Sequence, residues 1–323
     1  MKIGVVGAGA WGTALAQVMA EGGDVLLWAL EQEVTDAVNG AHENAIYLPG
    51  LALNPDIKAT SDLADMTACD ALLIVTPAQH VRRVVSQLPV GDQPVILCAK
   101  GIEAGTGKLM SQVVEDVVPG ATIGVLSGPT FAHEVAAGLP TAITLACNND
   151  AMAEQLLERV ARPTFRPYLS DDVIGAEVGG AVKNVLAIAC GVADGAELGL
   201  NARASLIARG FAEMSRFGVA LGARADTLGG LSGLGDLVLT CSSTNSRNFS
   251  LGKGLGEGKS AQELLSNRRT VAEGASTAPV LRDAARGAGV EMPIVEAVCA
   301  LLDGTVGVGD MIDALLSRPL RSE

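Results

Sequence analysis

Lys183 is the single charge in the sixteen-residue run VGGAVKNVLAIACGVA, Val178 to Ala193, which Glu177 and Asp194 close at its ends. Lysine is seldom fully buried without a partner, because desolvation penalises the ammonium. On an apolar helix facing a cavity, such a lysine can exchange a proton with a reacting oxygen near neutral pH. A stem that snorkels to the surface, or a structural ion pair, are the plainer readings. An acid able to orient the lysine follows the turn Gly233-Leu234-Gly235, as Asp236 ahead of Leu237-Val238-Leu239, although it could equally cap that helix. Further on, Thr244-Asn245-Ser246-Arg247-Asn248 gathers hydroxyl, guanidinium and amide donors, which suits an oxyanion such as a phosphate. Ser246 and Asn248 could instead serve as helix caps.

A second group opens the chain. Gly7-Ala8-Gly9-Ala10-Trp11-Gly12 follows KIGVV and leads into a helical pattern at about Trp11. Gly7 permits a tight turn, Gly9 lets the backbone approach a pyrophosphate, and Gly12 lets helix and strand pack closely. The helix N-terminus adds N–H groups and a positive dipole. The next apolar run ends Trp28-Ala29-Leu30-Glu31, and no Arg or Lys follows before Lys58. An acid at that tip favours NAD and a nearby Arg favours NADP. Glu31 could reach the ribose or sit solvated at a helix start, so the choice between NAD and NADP stays open. Lys100 follows PVILCA, at a strand's carboxyl end where open α/β sheets bind ligands, or else is an ordinary loop lysine. TIGVL runs into Ser127-Gly128-Pro129-Thr130, another polar turn at the same edge.

Seven short apolar runs must position these residues: KIGVVG, DVLLWAL, ALLIVTP, PVILCAK, TIGVL, TAITLA and FRPYL. Their near-continuous hydrophobicity, alternating with helical segments such as WGTALAQVMAEGG, QHVRRVVSQL and KLMSQVVEDVV, predicts a doubly wound, mostly parallel sheet covered on both faces. Beyond about Ser170 the periods lengthen to those of helices, in DVIGAEVGGAVKNVLAIACGVA, ARASLIARGFAEMSRFGVALG, AQELLSNR and APVLRDAARGAG. The division expected is residues 1–170 for a dinucleotide-binding α/β domain and 171–323 for an all-helical substrate-binding and catalytic domain.

The 323 residues carry a net charge of −13, which argues against nucleic acid and anionic membrane surfaces as partners. Few aromatics (3%) and 39 glycines suit an α/β protein packed from small aliphatic side chains. Six scattered cysteines without a CxxC pair read as reduced core thiols, and the three isolated histidines offer no metal-ligand spacing. The run around Lys183 is too short, and too rich in glycine, for stable membrane insertion. With no signal-peptide pattern at the N-terminus, the expectation is a cytoplasmic protein, its partners a small phosphorylated anion and, at most, a second copy of the chain.

The ordered set GAGAWGTALA, CAKG, SGPTFAHEVAAGLPTA, GAEVGGAVKNVLAI, NARASLIARGFAEMSR, GLGDLVLTC, NSRN and GVEMPI resembles the bacterial NAD(P)-dependent sn-glycerol-3-phosphate dehydrogenases, from Gly7 to Pro293. The resemblance implies an N-terminal Rossmann domain, a helical substrate domain and interconversion of dihydroxyacetone phosphate and glycerol 3-phosphate in phospholipid biosynthesis. It implies Lys183 as the proton donor and acceptor, with Asp236 beside it in the catalytic pair. Lys100, Gly128, Thr130, Lys183, Asp236, Ser246, Arg247 and Asn248 would contact the substrate. Gly7, Gly9, Ala10, Trp11, Gly12, Lys100, Ala132, Arg247, Val271 and Glu273 would contact NAD or NADP, and no metal is called for. The chain departs from the family's pattern at Ala10, often Ser, at Leu30, where Arg or His is common, and in VAEGAST around Val271. A β-hydroxyacid dehydrogenase shares the lysine and the two domains but needs a carboxylate site. A non-catalytic dinucleotide sensor would need the glycine turn without Lys183 and Asp236.

Overall fold

The computed structural model describes residues 1–266 and 272–317. Strands β1 (Ile3–Val6), β2 (Val25–Trp28), β3 (Ile57–Thr60), β4 (Ala71–Ile74), β5 (Val95–Leu97), β6 (Ile123–Ser127), β7 (Thr141–Cys147) and β8 (Phe165–Ser170) form one sheet. Their order is β3-β2-β1-β4-β5-β6-β7-β8. The six strands from β3 to β6 pair in parallel, whereas β7 runs antiparallel to β6 and β8 follows β7 in parallel. Alternate residues feed two cores: Ile3, Val5, Val25 and Leu27 join one cluster, and Val6, Leu26, Trp28 and Ile74 the other. Both faces are therefore covered, and the two-residue period of a strand explains why these stretches read as unbroken apolar runs.

Two features differ from the pattern in the sequence. β3, read IKAT, was no part of it, because at the sheet's edge only Ile57 of its four residues is buried. The reversal of β7 was also unmarked, since a doubly covered strand looks the same in either direction. Between β6 and β7 the chain forms only the short helix Ala132–Ala136, which packs on the helix Ala10–Ala20.

Contacts divide the chain into two units, Met1–Glu103 with Lys108–Glu177, and Ala104–Gly107 with Val178–Glu323. The division falls inside the helix Val173–Gly195. Among the described residues this is the one helix long and apolar enough to cross a membrane, and 89% of its apolar window is buried within the protein. It exceeds the sixteen-residue run because it continues through both flanking acids, each of which has partners. Glu177 accepts hydrogen bonds from the Ser111 backbone N–H (2.8 Å) and hydroxyl (2.5 Å), in the first turn of the helix Met110–Val117. Burial pushes the Glu177 carboxyl up to about 7, against the lowering effect of the hydrogen bonds from Ser111 and Met110. Asp194 receives Lys253 at 2.9 Å and Arg203 at 3.4 Å.

Within the second unit, glycines bring two helices to backbone contact. A Cβ added at Gly191 or Gly195 would collide with the carbonyl oxygens of Phe249 and Lys253. One at Gly252 or Gly256 would collide with those of Ile188 and Val192. Helix Val173–Gly195 and helix Arg247–Gly256 thus meet along a seam with no side chains between them.

Candidate active site

At the amino end, Gly7 has φ +120°, a backbone region that favours glycine, and its N–H donates to the Trp28 carbonyl oxygen at 3.0 Å. A Cβ at Gly12 would strike the Gly7 carbonyl oxygen. At Gly9, by contrast, an added Cβ meets nothing within 4 Å. Gly9 caps the helix Ala10–Ala20, whose first-turn N–H groups, including those of Ala10 and Trp11, receive no side-chain cap. Ala10, Trp11 and Ala132 pack against the same core cluster. Three buried polar atoms here lack a partner: Trp11 Nε1, Thr76 Oγ1 just past β4, and Ser127 Oγ at the end of β6. Open space over Gly9, an uncapped helix start and orphaned donors at the strand ends fit a dinucleotide whose pyrophosphate lies on the turn.

Further along that edge, Lys100 Nζ donates to the Gly128 carbonyl oxygen at 3.2 Å, and the Thr130 hydroxyl donates to the same oxygen at 3.3 Å. Two turns far apart in sequence are thereby brought together.

In the second unit, Lys183 and Asp236 are 6% and 0% exposed, and Lys183 Nζ donates to Asp236 Oδ1 at 2.5 Å. The ammonium also donates to Thr240 Oγ1 at 3.1 Å, and the Thr240 hydroxyl reaches Asp236 Oδ1 at 3.4 Å. A π-helical turn, Leu231–Gly235, delivers Asp236 to the start of the helix Asp236–Cys241. An ammonium this deeply buried is tolerable because a carboxylate and a hydroxyl receive it.

Asn248 donates to Asn184 Oδ1 at 3.0 Å and accepts from the Gly274 N–H at 2.9 Å, tying three helices together beside that pair. Ser246 is the N-cap of helix Arg247–Gly256, its hydroxyl accepting from the Phe249 N–H at 3.2 Å. Arg247, exposed, is that helix's first residue, and Glu273 is the first of helix Glu273–Gly287. Val271 lies outside the described residues. Of the substrate residues named from sequence, Lys100, Gly128 and Thr130 belong to the first unit, and Lys183, Asp236, Ser246, Arg247 and Asn248 to the second.

Thr240 and Asn184 were missed. Thr240 was within reach of sequence reasoning, because it follows Asp236 by four residues on one helix and so shares its face. Asn184 offered no such signal; its partner Asn248 is 64 residues away. All six cysteines are buried thiols, as expected.

A glycine turn between β1 and a helix, the strand order of a doubly wound sheet and a buried lysine–aspartate pair on following helices define a nucleotide-dependent oxidoreductase of the Rossmann type. The family models for the NAD-dependent glycerol-3-phosphate dehydrogenase N-terminus and C-terminus match residues 2–153 and 172–313, and the chain belongs to this family. It is 63% identical over 324 residues to the glycerol-3-phosphate dehydrogenase [NAD(P)+] of Novosphingobium aromaticivorans, covering 100% of this chain and 98% of that one. Identity to the enzyme of the same name from Erythrobacter litoralis is 61%, with 100% and 98% covered. The crystal structure of glycerol-3-phosphate dehydrogenase from Coxiella burnetii superposes with a TM-score of 0.93 at 38% identity, covering 98% of this chain and 99% of that one. Membership of the glycerol-3-phosphate dehydrogenase family, whose relatives act with NAD(P), sets aside the hydroxyacid and sensor alternatives.

Proposed function

We propose that the chain interconverts dihydroxyacetone phosphate and sn-glycerol 3-phosphate, with Lys183 giving a proton to the carbonyl oxygen in reduction and taking it back in the reverse direction. The observation that carries this is the buried Lys183 ammonium held by Asp236 and Thr240. Asp236 balances the charge and, with Thr240, confines the long lysine side chain to one rotamer, so the proton is offered from a fixed point. When bound, the nicotinamide supplies or takes up the hydride, the part of the chemistry that no side chain offers.

In this reading residues 1–170 bind the dinucleotide and residues 171–323 carry the substrate chemistry. Gly7, Gly9 and Gly12 shape the pyrophosphate seat, with the N–H groups of Ala10 and Trp11 above it and Ala132 alongside. Arg247 takes the substrate phosphate, because its guanidinium makes paired hydrogen bonds and it opens a helix whose dipole favours an anion. Lys100, Gly128 and Thr130 supply further contacts, as do Ser246 and Asn248. Arg247 and Glu273 also adjoin the cofactor by the family's pattern. Six unpaired buried thiols support a reducing, cytoplasmic setting.

The test follows consumption of the reduced nicotinamide with dihydroxyacetone phosphate, with dihydroxyacetone and with 2-keto acids. The wild type should prefer the phosphorylated ketone by orders of magnitude. Arg247→Ala should lose at least about thirtyfold in kcat/KM and much of that preference, while Arg247→Lys is clearly impaired. If the preference survives Arg247→Ala undiminished, the phosphate is held elsewhere, and Lys100 becomes the residue to change.

A further inference from the structure

We propose that Glu31, braced by Tyr47, makes this chain select NADH over NADPH. The inference rests on the dehydrogenase reading above, and concerns which form of the nucleotide its dinucleotide site accepts.

The glycine turn fixes where the adenosine end of a dinucleotide goes. Gly7 is hydrogen-bonded to Trp28, the last residue of β2, and Ala29 N–H donates to the Thr60 carbonyl at the end of β3. With the pyrophosphate on the turn, the ribose of the adenosine half reaches the tip of β2. Glu31 stands at that tip, as the N-cap residue of helix Gln32–Gly40, yet its side chain makes no capping hydrogen bond. Instead its Oε1 accepts from the Tyr47 hydroxyl at 2.9 Å. Burial, reinforced by Glu31, holds the Tyr47 hydroxyl above its usual range, so it remains a proton donor to the carboxylate. The exposed carboxylate is thus oriented by the tyrosine hydroxyl. A ribose 2′-hydroxyl can donate to such an acid, whereas a 2′-phosphate there places one anion against another.

The surroundings reinforce this. Gln32 donates to Asp36 at 2.8 Å, Thr60 to Asp65 at 2.6 Å, and Asp62 opens the turn after β3. Leu30, at the tip itself, is apolar and 66% exposed. Lys58 lies in β3, but its Nζ donates back to the Pro55 carbonyl at 3.2 Å, ahead of the strand and away from the tip. Arg82 is engaged by Glu103 and Asp116. A surface pocket of about 500 Å³ beside the β2 tip has Trp28, Leu30 and Leu63 among its lining residues, apolar surfaces suited to a purine ring. Its polar lining, Ser61, Asp62 and Gln87, contains no cation.

The experiment measures equilibrium binding of NADH and NADPH to the full-length protein by calorimetry, without substrate. Wild type should bind NADH at least about tenfold more tightly, and the gap should narrow as salt rises, because the discrimination is a charge repulsion near the surface. Glu31→Gln keeps the side chain's shape and should shrink the ratio severalfold, by weakening NADH and strengthening NADPH. Tyr47→Phe should weaken NADH alone, and Leu30→Arg should bring NADPH level with NADH or below it. Equal affinities in the wild type, or a ratio unmoved by Glu31→Gln, would overturn the proposal. So would an NADPH preference lost in Arg83→Gln, which would place the phosphate against the helix one turn before Gln87. If neither nucleotide binds, the dehydrogenase reading itself falls.

Discussion

The glycine turn and the Lys183 cluster are built by opposite means. The first is made of backbone: six consecutive residues, five of them Gly or Ala beside Trp11, with open space above Gly9 and an uncapped helix start. The second is made of side chains drawn from segments up to 57 residues apart, Lys183 with Asp236 and Thr240. A backbone site depends on what is missing, so an added methyl group damages it. A side-chain site depends on reciprocal satisfaction, so each deletion leaves a buried partner stranded. The contrast teaches that binding and proton transfer in this protein should fail separately.

The sharpest break of that contrast is Lys183→Ala. It should lower kcat by about 10²–10⁴-fold, roughly 3–5 kcal/mol in the barrier, while NADH still binds with near-normal affinity by calorimetry. A variant that loses nucleotide binding in parallel would show the two sites to be one. Next is Asp236→Ala, which strands the buried ammonium and should cost about 3–5 kcal/mol of stability in urea unfolding, with Asp236→Asn costing less.

Glu177 probes the same logic through pH. Its carboxyl is raised from an ordinary 4.5 to about 7 in the folded chain, so the native state holds the proton more tightly than the unfolded state. Its favourable contribution is full below about 4.5 and is lost as pH rises through about 7, amounting to about 3 kcal/mol. Unfolding free energy measured from pH 5 to 8 should therefore fall more steeply in wild type than in Glu177→Gln. Equal slopes would refute the assignment. The smallest stability effect is expected of Gly9→Ala, under about 0.5 kcal/mol because the added methyl meets no neighbour, yet nucleotide affinity should drop by about tenfold or more. Intact affinity in that variant would mean that nothing approaches the backbone at Gly9.

The same contrast explains what could be read in advance. Gly7 to Gly12 were readable because their function is local: turn, approach and packing are encoded within one short stretch. Lys183 was readable as an anomaly, a charge in an apolar helix, and Asp236 as an acid in an unusual setting. Their junction was legible only as one of two options for Asp236, orienting the lysine or capping its helix, and as what the family motifs imply, since a 53-residue separation leaves no periodic trace. The extent of the long helix was legible, because its period runs through Glu177 in DVIGAEVGGAVKNVLAIACGVA, whereas the partners that accommodate its flanking acids were not, Ser111 for Glu177 and Arg203 and Lys253 for Asp194. β3 escaped because an edge strand with one buried residue carries no apolar signature. The NSRN turn was read from its donors as a seat for an oxyanion and from the family motifs as a substrate contact, and the Arg247 variants test that reading.

The seam of Gly191 and Gly195 against Gly252 and Gly256 sets how freely this protein can drift. Helices separated by side chains can be re-spaced in small steps, one methylene at a time, with neighbours repacking around each change. Here the spacing is set by backbone against backbone, and the smallest available change, a single methyl, is a wedge with no compensating retreat. That wedge would act between the helix bearing Lys183 and the helix that begins at Arg247, displacing the end that carries the guanidinium. Variation in what the protein accepts as substrate must therefore arise in turns and side chains outside the seam, because the seam admits no intermediate positions.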